Sequence, residues 1–365
     1  MQNTPTHRLG AGLRRWCGAA ALAVLLALPV QAVSIFPETP MDQLRQIPCL
    51  RDSGYYLYSR GDDRSLLAQA QWSTKPLNEY VEAPAAPDAA RGLELAAQNQ
   101  CAGVQVTHSV YTPEEIREDP ALGCVQLFYF PPKDPGARYA LVITGNANLK
   151  TGIVGEGASA AWVLHQQGYG VFVLRHRTFF DAGDNAPLQD ACRAVEYITQ
   201  NAAALQVSPE DYAVVGFSSG GHLAGLYGSP RIGYGRCGLP APAALLLAYP
   251  INNFFEVKPL YHLMLDYDRL DWRYYWANVS DQVEADYPPT FHWYGLNDPV
   301  LLMFNRACQG PALEQALTRH GVEHQCRVYQ NAPHAIGTGV GTDAEGWLEE
   351  AAAFWDSQVE ETRGE

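Results

Sequence analysis

The chain has 365 residues and a formal net charge of −14 at pH 7, with 47% hydrophobic and 18% charged residues. This length and composition are typical of a globular protein with a sizeable core, and α/β folds reach this size as a single domain. Because nucleic-acid binding requires a basic protein face, the acidic balance argues against a nucleic-acid partner.

The first segment, residues 1–32, has the pattern of an export signal. Arg14 and Arg15 lie in a basic start, residues 18–30 are apolar, and small residues lead up to Ala32. The apolar stretch is short for a membrane span. The pattern predicts a signal peptide, export to the periplasm or the extracellular space, and no stable membrane insertion after cleavage. An uncleaved signal anchor is the alternative.

One of the eight cysteines lies inside that signal, which leaves seven in the predicted mature protein. Export favours disulfides, and an odd number leaves at least one free thiol. We expect Cys192, in a predicted helix, to be free. Proximity along the chain suggests the pairs Cys101–Cys124 and Cys308–Cys326. No group of cysteine and histidine residues has zinc-ligand spacing, so we expect no metal site.

The next segment, residues 33–122, is predicted to be an irregular N-terminal extension. Proline and alanine cluster over 82–90, which is typical of a surface connection, and 93–100 is predicted to be a short helix. The segment carries no catalytic motif. We therefore expect it to decorate the main domain and to pack against it.

From residue 123 to the end, short apolar runs alternate with helical patterns. Apolar runs of this kind suit strands that helices cover on both faces, so the pattern predicts an α/β domain with a mostly parallel sheet. The predicted helices are 157–167, 188–205 and 345–359. The predicted strands are 125–130, 139–144, 171–174, 212–217, 243–248, 290–294 and 325–329.

The strongest chemical motif is Gly-Phe-Ser-Ser-Gly at residues 216–220, which follows a predicted strand and precedes a helical pattern. A nucleophile elbow has this context, because its serine sits on a strained turn with the hydroxyl exposed, and flanking glycines avoid clashes. The motif predicts Ser218 as a nucleophile. An ordinary strand-to-helix turn with a solvent-facing serine is the alternative.

A serine nucleophile needs a base, and in this arrangement the chain order is serine, acid, histidine. Asp298 follows the predicted strand 290–294, whereas Asp281 and Asp286 precede it at the wrong end. His334 lies on the loop after the last strand, a position that none of the other nine histidines has. The pattern predicts Asp298 and His334 as partners of the serine; a turn-forming aspartate before proline is the alternative role of Asp298.

The predicted oxyanion hole uses backbone N–H groups aimed at the developing negative charge. One donor is expected to be the N–H of Ser219, which follows the nucleophile. The second is expected from the turn after strand 139–144, where either Asn146 or Ala147 presents its N–H.

A family resemblance is carried by Asp190, at the start of a predicted helix, and by three segments, 216–224, 168–175 and 339–354. They resemble the esterase branch of the α/β-hydrolase fold that includes acetyl xylan esterases and other carbohydrate-ester or carboxyl esterases. The resemblance covers the chain from about residue 125 onward. It implies an α/β-hydrolase fold and cleavage of carboxylic esters, such as acetyl or carbohydrate esters, through an acyl-enzyme, without a cofactor.

One departure from that branch concerns the oxyanion turn. Relatives usually carry a run of glycines where residues 145–148 read Gly-Asn-Ala-Asn. Side chains there either narrow the acyl pocket or, at Asn146, add an amide donor. Arg177 and Asp190 are expected to form a buried structural pair. An aromatic-rich insertion over 261–276 either caps the site or anchors the insertion to the core.

Two other functions stay open from the sequence. A serine peptidase or amidase uses the same triad, although peptidases of this fold usually add a propeller or lid domain. A non-catalytic binding protein of the same fold is the other alternative: the complete Ser, Asp and His set argues against it, and the altered oxyanion turn argues slightly for it.

Overall fold

A computed structural model describes residues 33–55, 75–147, 150–178, 181–183, 185–254 and 277–364. These residues belong to one compact unit. The predicted signal peptide and the aromatic insertion lie outside the described residues. Within the described ranges, no helix combines the length and the apolar character needed to cross a membrane.

The core of the protein is an eight-stranded sheet with the strand order 1-2-4-3-5-6-7-8. The second strand runs antiparallel to both of its neighbours, and the strands from the third to the eighth position along the sheet pair in parallel. The strands are β1 (Thr107–Ser109), β2 (Gln126–Phe130), β3 (Tyr139–Ile143), β4 (Gly170–Arg175), β5 (Ala213–Phe217), β6 (Ala244–Ala248), β7 (Thr290–Gly295) and β8 (His324–Tyr329).

Every residue of five central strands, β3, β4, β5, β6 and β7, is buried. This burial follows from the helices that cover both faces of the sheet. Each predicted strand boundary lies within one residue of the observed one. The α-helices are α1 (Met41–Leu44), α2 (Pro48–Ser53), α3 (Leu77–Tyr80), α4 (Ala86–Cys101), α5 (Pro113–Glu118), α6 (Ala158–Gln166), α7 (Ala186–Asn201), α8 (Ser218–Tyr227), α9 (Pro299–Met303), α10 (Gly310–His320) and α11 (Trp347–Gly364).

The N-terminal extension packs against the main domain, in part through a strand and a helix. Its strand β1 adds to the sheet edge by pairing with β2. Its longest helix, α4, crosses α6 so closely that a Cβ added to Gly92 would clash with the carbonyl oxygen of Ala158. The helix is also longer than the predicted 93–100. The domain boundary at residues 122 and 123 stays a prediction.

The structure corrects the predicted cysteine pairing. Cys192 is not free but is bonded to Cys237, with Cα atoms 6.2 Å apart, and Cys101 is bonded to Cys49 at 5.4 Å rather than to Cys124. The predicted pairs were wrong because closeness along the chain does not bring Cα atoms within disulfide range. The free cysteines among the described residues are Cys124, Cys308 and Cys326.

Candidate active site

Ser218 lies at the sharp turn between β5 and α8. Its φ is 51°, in the left-handed region that non-glycine residues rarely adopt. The turn is tight enough to exclude side chains at the neighbouring glycines. A Cβ on Gly216 would lie 2.7 Å from the Cβ of Ala224, and one on Gly220 would clash with the carbonyl oxygen of Ile143. The sequence motif therefore folds as a strained strand-to-helix turn, as predicted.

Asp298 follows β7 and uses its two carboxylate oxygens for different purposes. Oδ1 accepts the N–H groups of Val300 and Leu301 at 2.9 and 3.2 Å, which caps the start of α9. Oδ2 lies 2.7 Å from Nδ1 of His334. Because Asp298 is fully buried and anchored by the cap, its second oxygen has a fixed position for the imidazole.

His334 lies on the loop after β8, at the edge of the sheet where the parallel strands end. Its Nε2 lies 2.7 Å from Oγ of Ser218. Since a carboxylate accepts hydrogen bonds, the Nδ1 that faces Asp298 carries the ring proton, and Nε2 is left to accept from the serine hydroxyl. The structure thus brings together the three residues predicted from sequence, in an order that allows proton transfer from serine to imidazole.

The predicted oxyanion turn after β3 lies directly against Ser218. A Cβ on Gly145 would lie 2.6 Å from the Cβ and 3.3 Å from Oγ of Ser218. The next two residues have positive φ values, 112° for Asn146 and 52° for Ala147, and Asn146 is exposed. Ser219, whose N–H is the other predicted donor, is buried at the start of α8. The turn and the elbow therefore border the same space at Ser218.

A buried carboxylate, Glu156, holds this turn, and the sequence reasoning missed it. Its Oε2 accepts the N–H of Gly145 at 2.7 Å, and its Oε1 accepts the hydroxyl of Tyr249 at 3.0 Å. Burial raises the pKa of Glu156, while these two hydrogen bonds and the nearby His334 act in the opposite direction. The available signal was an isolated acid in the otherwise small and apolar run at 153–161.

Tyr249 is a second residue that the sequence reasoning missed. It follows β6 with a φ of 38° and is fully buried. Its hydroxyl donates to Glu156 and accepts the N–H of Gly337 at 3.1 Å, while its ring lies 4.7 Å from the imidazole ring of His334, centroid to centroid. Burial raises the pKa of Tyr249 well above its usual value, so its hydroxyl keeps its proton. Tyr249 therefore contacts both the oxyanion side and the histidine side of the site.

The N-terminal extension also reaches the loop that carries His334. The carbonyl of Pro84 accepts the N–H of Val340 at 3.1 Å, and Asp88 accepts the hydroxyl of Thr338 at 2.7 Å. The extension thus supports one wall of the site.

Two further buried polar features are a histidine in α8 and the pair formed by Arg177 and Asp190. His222, in α8, is fully buried with Nε2 2.8 Å from the carbonyl oxygen of Ala277, and burial lowers its pKa to about 4. Arg177 and Asp190 form the predicted buried pair at 2.7 Å. Among the described residues, no group of three or more His, Cys, Asp or Glu side chains is placed to hold a metal ion.

Two protein-family profiles match this part of the chain. The one described as alpha/beta hydrolase fold matches residues 185–338, which include the elbow, Asp298 and His334. The one described as BD-FAE matches residues 128–232.

Two relatives match part of the chain by sequence. An acetylxylan esterase from Xylanibacter ruminicola is 29% identical over 103 residues, and an endo-1,4-beta-xylanase B from Butyrivibrio fibrisolvens is 25% identical over 176 residues. These segments are 28% and 44% of this chain, but only 21% and 27% of the two relatives, so most of each relative has no counterpart in the match.

Solved structures share the fold over about two thirds of the chain. An acetyl ester-xyloside bifunctional hydrolase from Caldicellulosiruptor lactoaceticus is 21% identical with a TM-score of 0.56, covering 69% of this chain and 95% of its own. The carboxylesterase Cest-2923 from Lactobacillus plantarum is 17% identical with a TM-score of 0.55, covering 64% and 92%. With the sheet order, the elbow and the matching profile, these likenesses show that the chain has the α/β-hydrolase fold.

Proposed function

We propose that this protein is a serine esterase that cleaves carboxylic esters through an acyl-enzyme on Ser218. The observation that carries the proposal is the hydrogen-bonded series Ser218, His334 and Asp298, with 2.7 Å at each step, on a strained turn beside the oxyanion turn. The relatives named as esterases support ester cleavage over other hydrolytic reactions.

In the proposed mechanism Ser218 Oγ attacks the ester carbonyl while His334 Nε2 takes its proton. Asp298 orients the imidazole and stabilises its positive charge. The negative charge on the carbonyl oxygen is stabilised by the N–H of Ser219 and by that of Asn146 or Ala147. The alcohol leaves with the proton from His334, and water then cleaves the acyl-enzyme with the same histidine as base. No cofactor takes part in this mechanism.

Acetyl or other small acyl esters of carbohydrates are the proposed substrates. Support comes from two similar proteins, an acetylxylan esterase and an acetyl ester-xyloside bifunctional hydrolase. We also propose that the protein is exported, as its N-terminal sequence suggests. Two disulfides, Cys49–Cys101 and Cys192–Cys237, support export because disulfides persist in oxidising compartments.

The test is hydrolysis of p-nitrophenyl acetate, butyrate and octanoate, and of acetylated xylan, by the purified protein. Ser218→Ala should lower kcat by about 10⁶-fold, because removal of the nucleophile removes the covalent route. Ser208→Ala, which changes a serine on a surface turn outside the site, is the matched control and should keep full activity.

Ester turnover that survives in Ser218→Ala would contradict the proposal. Cleavage of p-nitroanilides in place of the esters would favour an amidase with the same triad. Absence of turnover on both classes, with tight binding of a carbohydrate ester, would favour a non-catalytic binding protein.

A further inference from the structure

Glu156 touches both halves of the site and has no part in the mechanism described so far. Its carboxylate is buried, with Oε2 on the N–H of Gly145 at 2.7 Å and Oε1 on the hydroxyl of Tyr249 at 3.0 Å. A buried carboxylate is costly unless its oxygens are hydrogen-bonded, so a fold keeps one where its contacts are needed. One contact is made to the oxyanion turn, and the other leads through Tyr249 to the His334 loop.

On one side, Glu156 fixes the first residue of the oxyanion turn. The carbonyl of Gly145 accepts the N–H of Gly152 at 3.0 Å, and its N–H is bound by Glu156, so both polar groups of this residue are held. Gly145 has no side chain that could anchor it, because a Cβ would collide with Ser218. The position of the turn relative to the serine hydroxyl therefore depends on Glu156 and Gly152.

On the other side, Glu156 acts through Tyr249 on the histidine loop. The Tyr249 hydroxyl accepts from Gly337, three residues after His334, and the Tyr249 ring packs on the imidazole. One carboxylate is thus linked to the turn expected to bind the oxyanion and to the loop that holds the base.

The hydrogen bonds favour the ionised form of Glu156, whereas burial raises the pKa of its carboxyl. The N–H of Gly145 can only donate, and the Tyr249 hydroxyl, which already accepts from Gly337, has one proton to donate. A proton on Oε1 would compete with the tyrosine proton for the same hydrogen bond. The ionised form satisfies every donor, and its charge favours the imidazolium that forms on His334 during acyl transfer.

We propose that Glu156 is a positioning residue that holds the oxyanion turn and, through Tyr249, the His334 loop in one geometry, so that attack by Ser218 and stabilisation of the oxyanion occur together. This role rests on the proposed esterase function. It predicts that loss of either hydrogen bond lowers kcat and leaves substrate binding nearly unchanged, because the contacts are made to the catalytic groups and not to the substrate.

The test compares Glu156→Gln, Tyr249→Phe and the double variant with the wild type on p-nitrophenyl acetate. We expect each single change to lower kcat by about 10- to 100-fold, the cost of sub-ångström to ångström misplacement of catalytic groups, with KM changed less than about threefold. The kcat of the double variant should be little lower than that of the more impaired single variant, because both changes break one network.

Glu94→Gln is the matched control. Glu94 is also a buried carboxylate that accepts a backbone N–H, that of Ile35, but it lies in the extension helix α4. It should keep the wild-type kcat even where its melting temperature falls, which separates positioning from stability. All kcat values are expressed per active site, titrated with a fluorophosphonate.

The rate at which the fluorophosphonate modifies Ser218 provides a readout that needs no ester substrate. A wild type without esterase activity, whose phosphonylation is nonetheless slowed by Glu156→Gln, would refute the esterase and support the positioning role. Wild-type rates of phosphonylation in Glu156→Gln would overturn the positioning role. If Glu156→Gln fails to fold, Tyr249→Phe alone decides, and an unchanged kcat and phosphonylation rate in that variant overturns the proposal.

Discussion

The nucleophile elbow and the oxyanion turn follow neighbouring parallel strands, β5 and β3, and end beside each other, yet they are held in different ways. The elbow, residues 216–220, is shaped by close main-chain packing, and its helix α8 starts without a side-chain cap. The oxyanion turn, which starts at Gly145, is held by the side chain of Glu156 from 11 residues further along the chain.

The difference explains why a sequence motif identifies the elbow but not the oxyanion turn. A turn fixed by packing of its own glycines leaves those glycines in a short motif, so Gly216 and Gly220 identify it. A turn fixed by a side chain from elsewhere can carry ordinary residues, and here it carries Asn146 and Ala147 at positive φ. Three predictions test how far this contrast holds.

The largest expected effect is on the elbow side, in Asp298→Asn. The amide oxygen can keep the cap on Val300 and Leu301, but the amide NH₂ then faces Nδ1 of His334. The imidazole must accept at Nδ1 and carry its proton on Nε2, so it can no longer accept from Ser218. We expect kcat to fall by about 10⁴-fold with a nearly unchanged melting temperature.

Asp286→Asn, an exposed aspartate before β7, is the control for Asp298→Asn and should leave kcat unchanged. Steady-state kinetics and thermal unfolding measure the two quantities. A kcat loss below about tenfold in Asp298→Asn would mean that the carboxylate serves mainly as a helix cap.

A smaller but still large effect is expected where the two turns meet. In Gly145→Ala the new Cβ would lie 2.6 Å from the Cβ of Ser218 and 2.8 Å from the carbonyl oxygen of Phe217, so one turn must move. We expect kcat/KM to fall by about 100-fold, the usual cost of displacing catalytic groups by an ångström.

Gly183→Ala is the matched control for Gly145→Ala, because a Cβ there meets no described atom within 4 Å. Kinetics on p-nitrophenyl acetate decide between the two outcomes. Full activity in Gly145→Ala would mean that the oxyanion turn adapts freely, and the contact with the elbow would not define the site.

The sheet and the triad could be predicted from sequence because their signals are local. Apolar runs covered on both faces identified each strand of the main domain to within one residue. Ser218, Asp298 and His334 each follow a strand, and parallel strands bring such positions to one edge. Where prediction relied on chain proximity, as for Cys101 with Cys124, it failed, since Cys49 approaches from 52 residues away.

Other features needed the three-dimensional contacts. Helix α4 was predicted too short because Pro87 falls in its first turn, and a proline there looks like a loop although the first turn needs no N–H from it. Glu156 is separated from Tyr249 by 93 residues, so no local pattern could connect them.

The smallest expected effect is in Asn146→Gly, which changes the residue with the largest positive φ in this turn. Asn146 has a φ of 112°, which is unfavourable for any residue with a Cβ, and its side chain is exposed. Glycine removes this strain, of about 1–3 kcal/mol, and adds a chain-entropy cost of about 0.5–1 kcal/mol. We therefore expect urea unfolding to show a small gain in stability, and kcat to stay within about threefold of the wild type.

This change also separates the two roles that the sequence left open for Asn146. If its side chain narrows the acyl pocket, Asn146→Gly should hydrolyse p-nitrophenyl butyrate and octanoate faster relative to acetate. If its amide is an oxyanion donor, kcat should instead fall by about 100-fold on every ester, as it does when one such donor is removed. The exposure of the Asn146 side chain favours the first outcome, with the backbone N–H as the oxyanion donor. A uniform hundredfold loss would show instead that the Asn146 amide binds the oxyanion in a turn whose shape Glu156 holds.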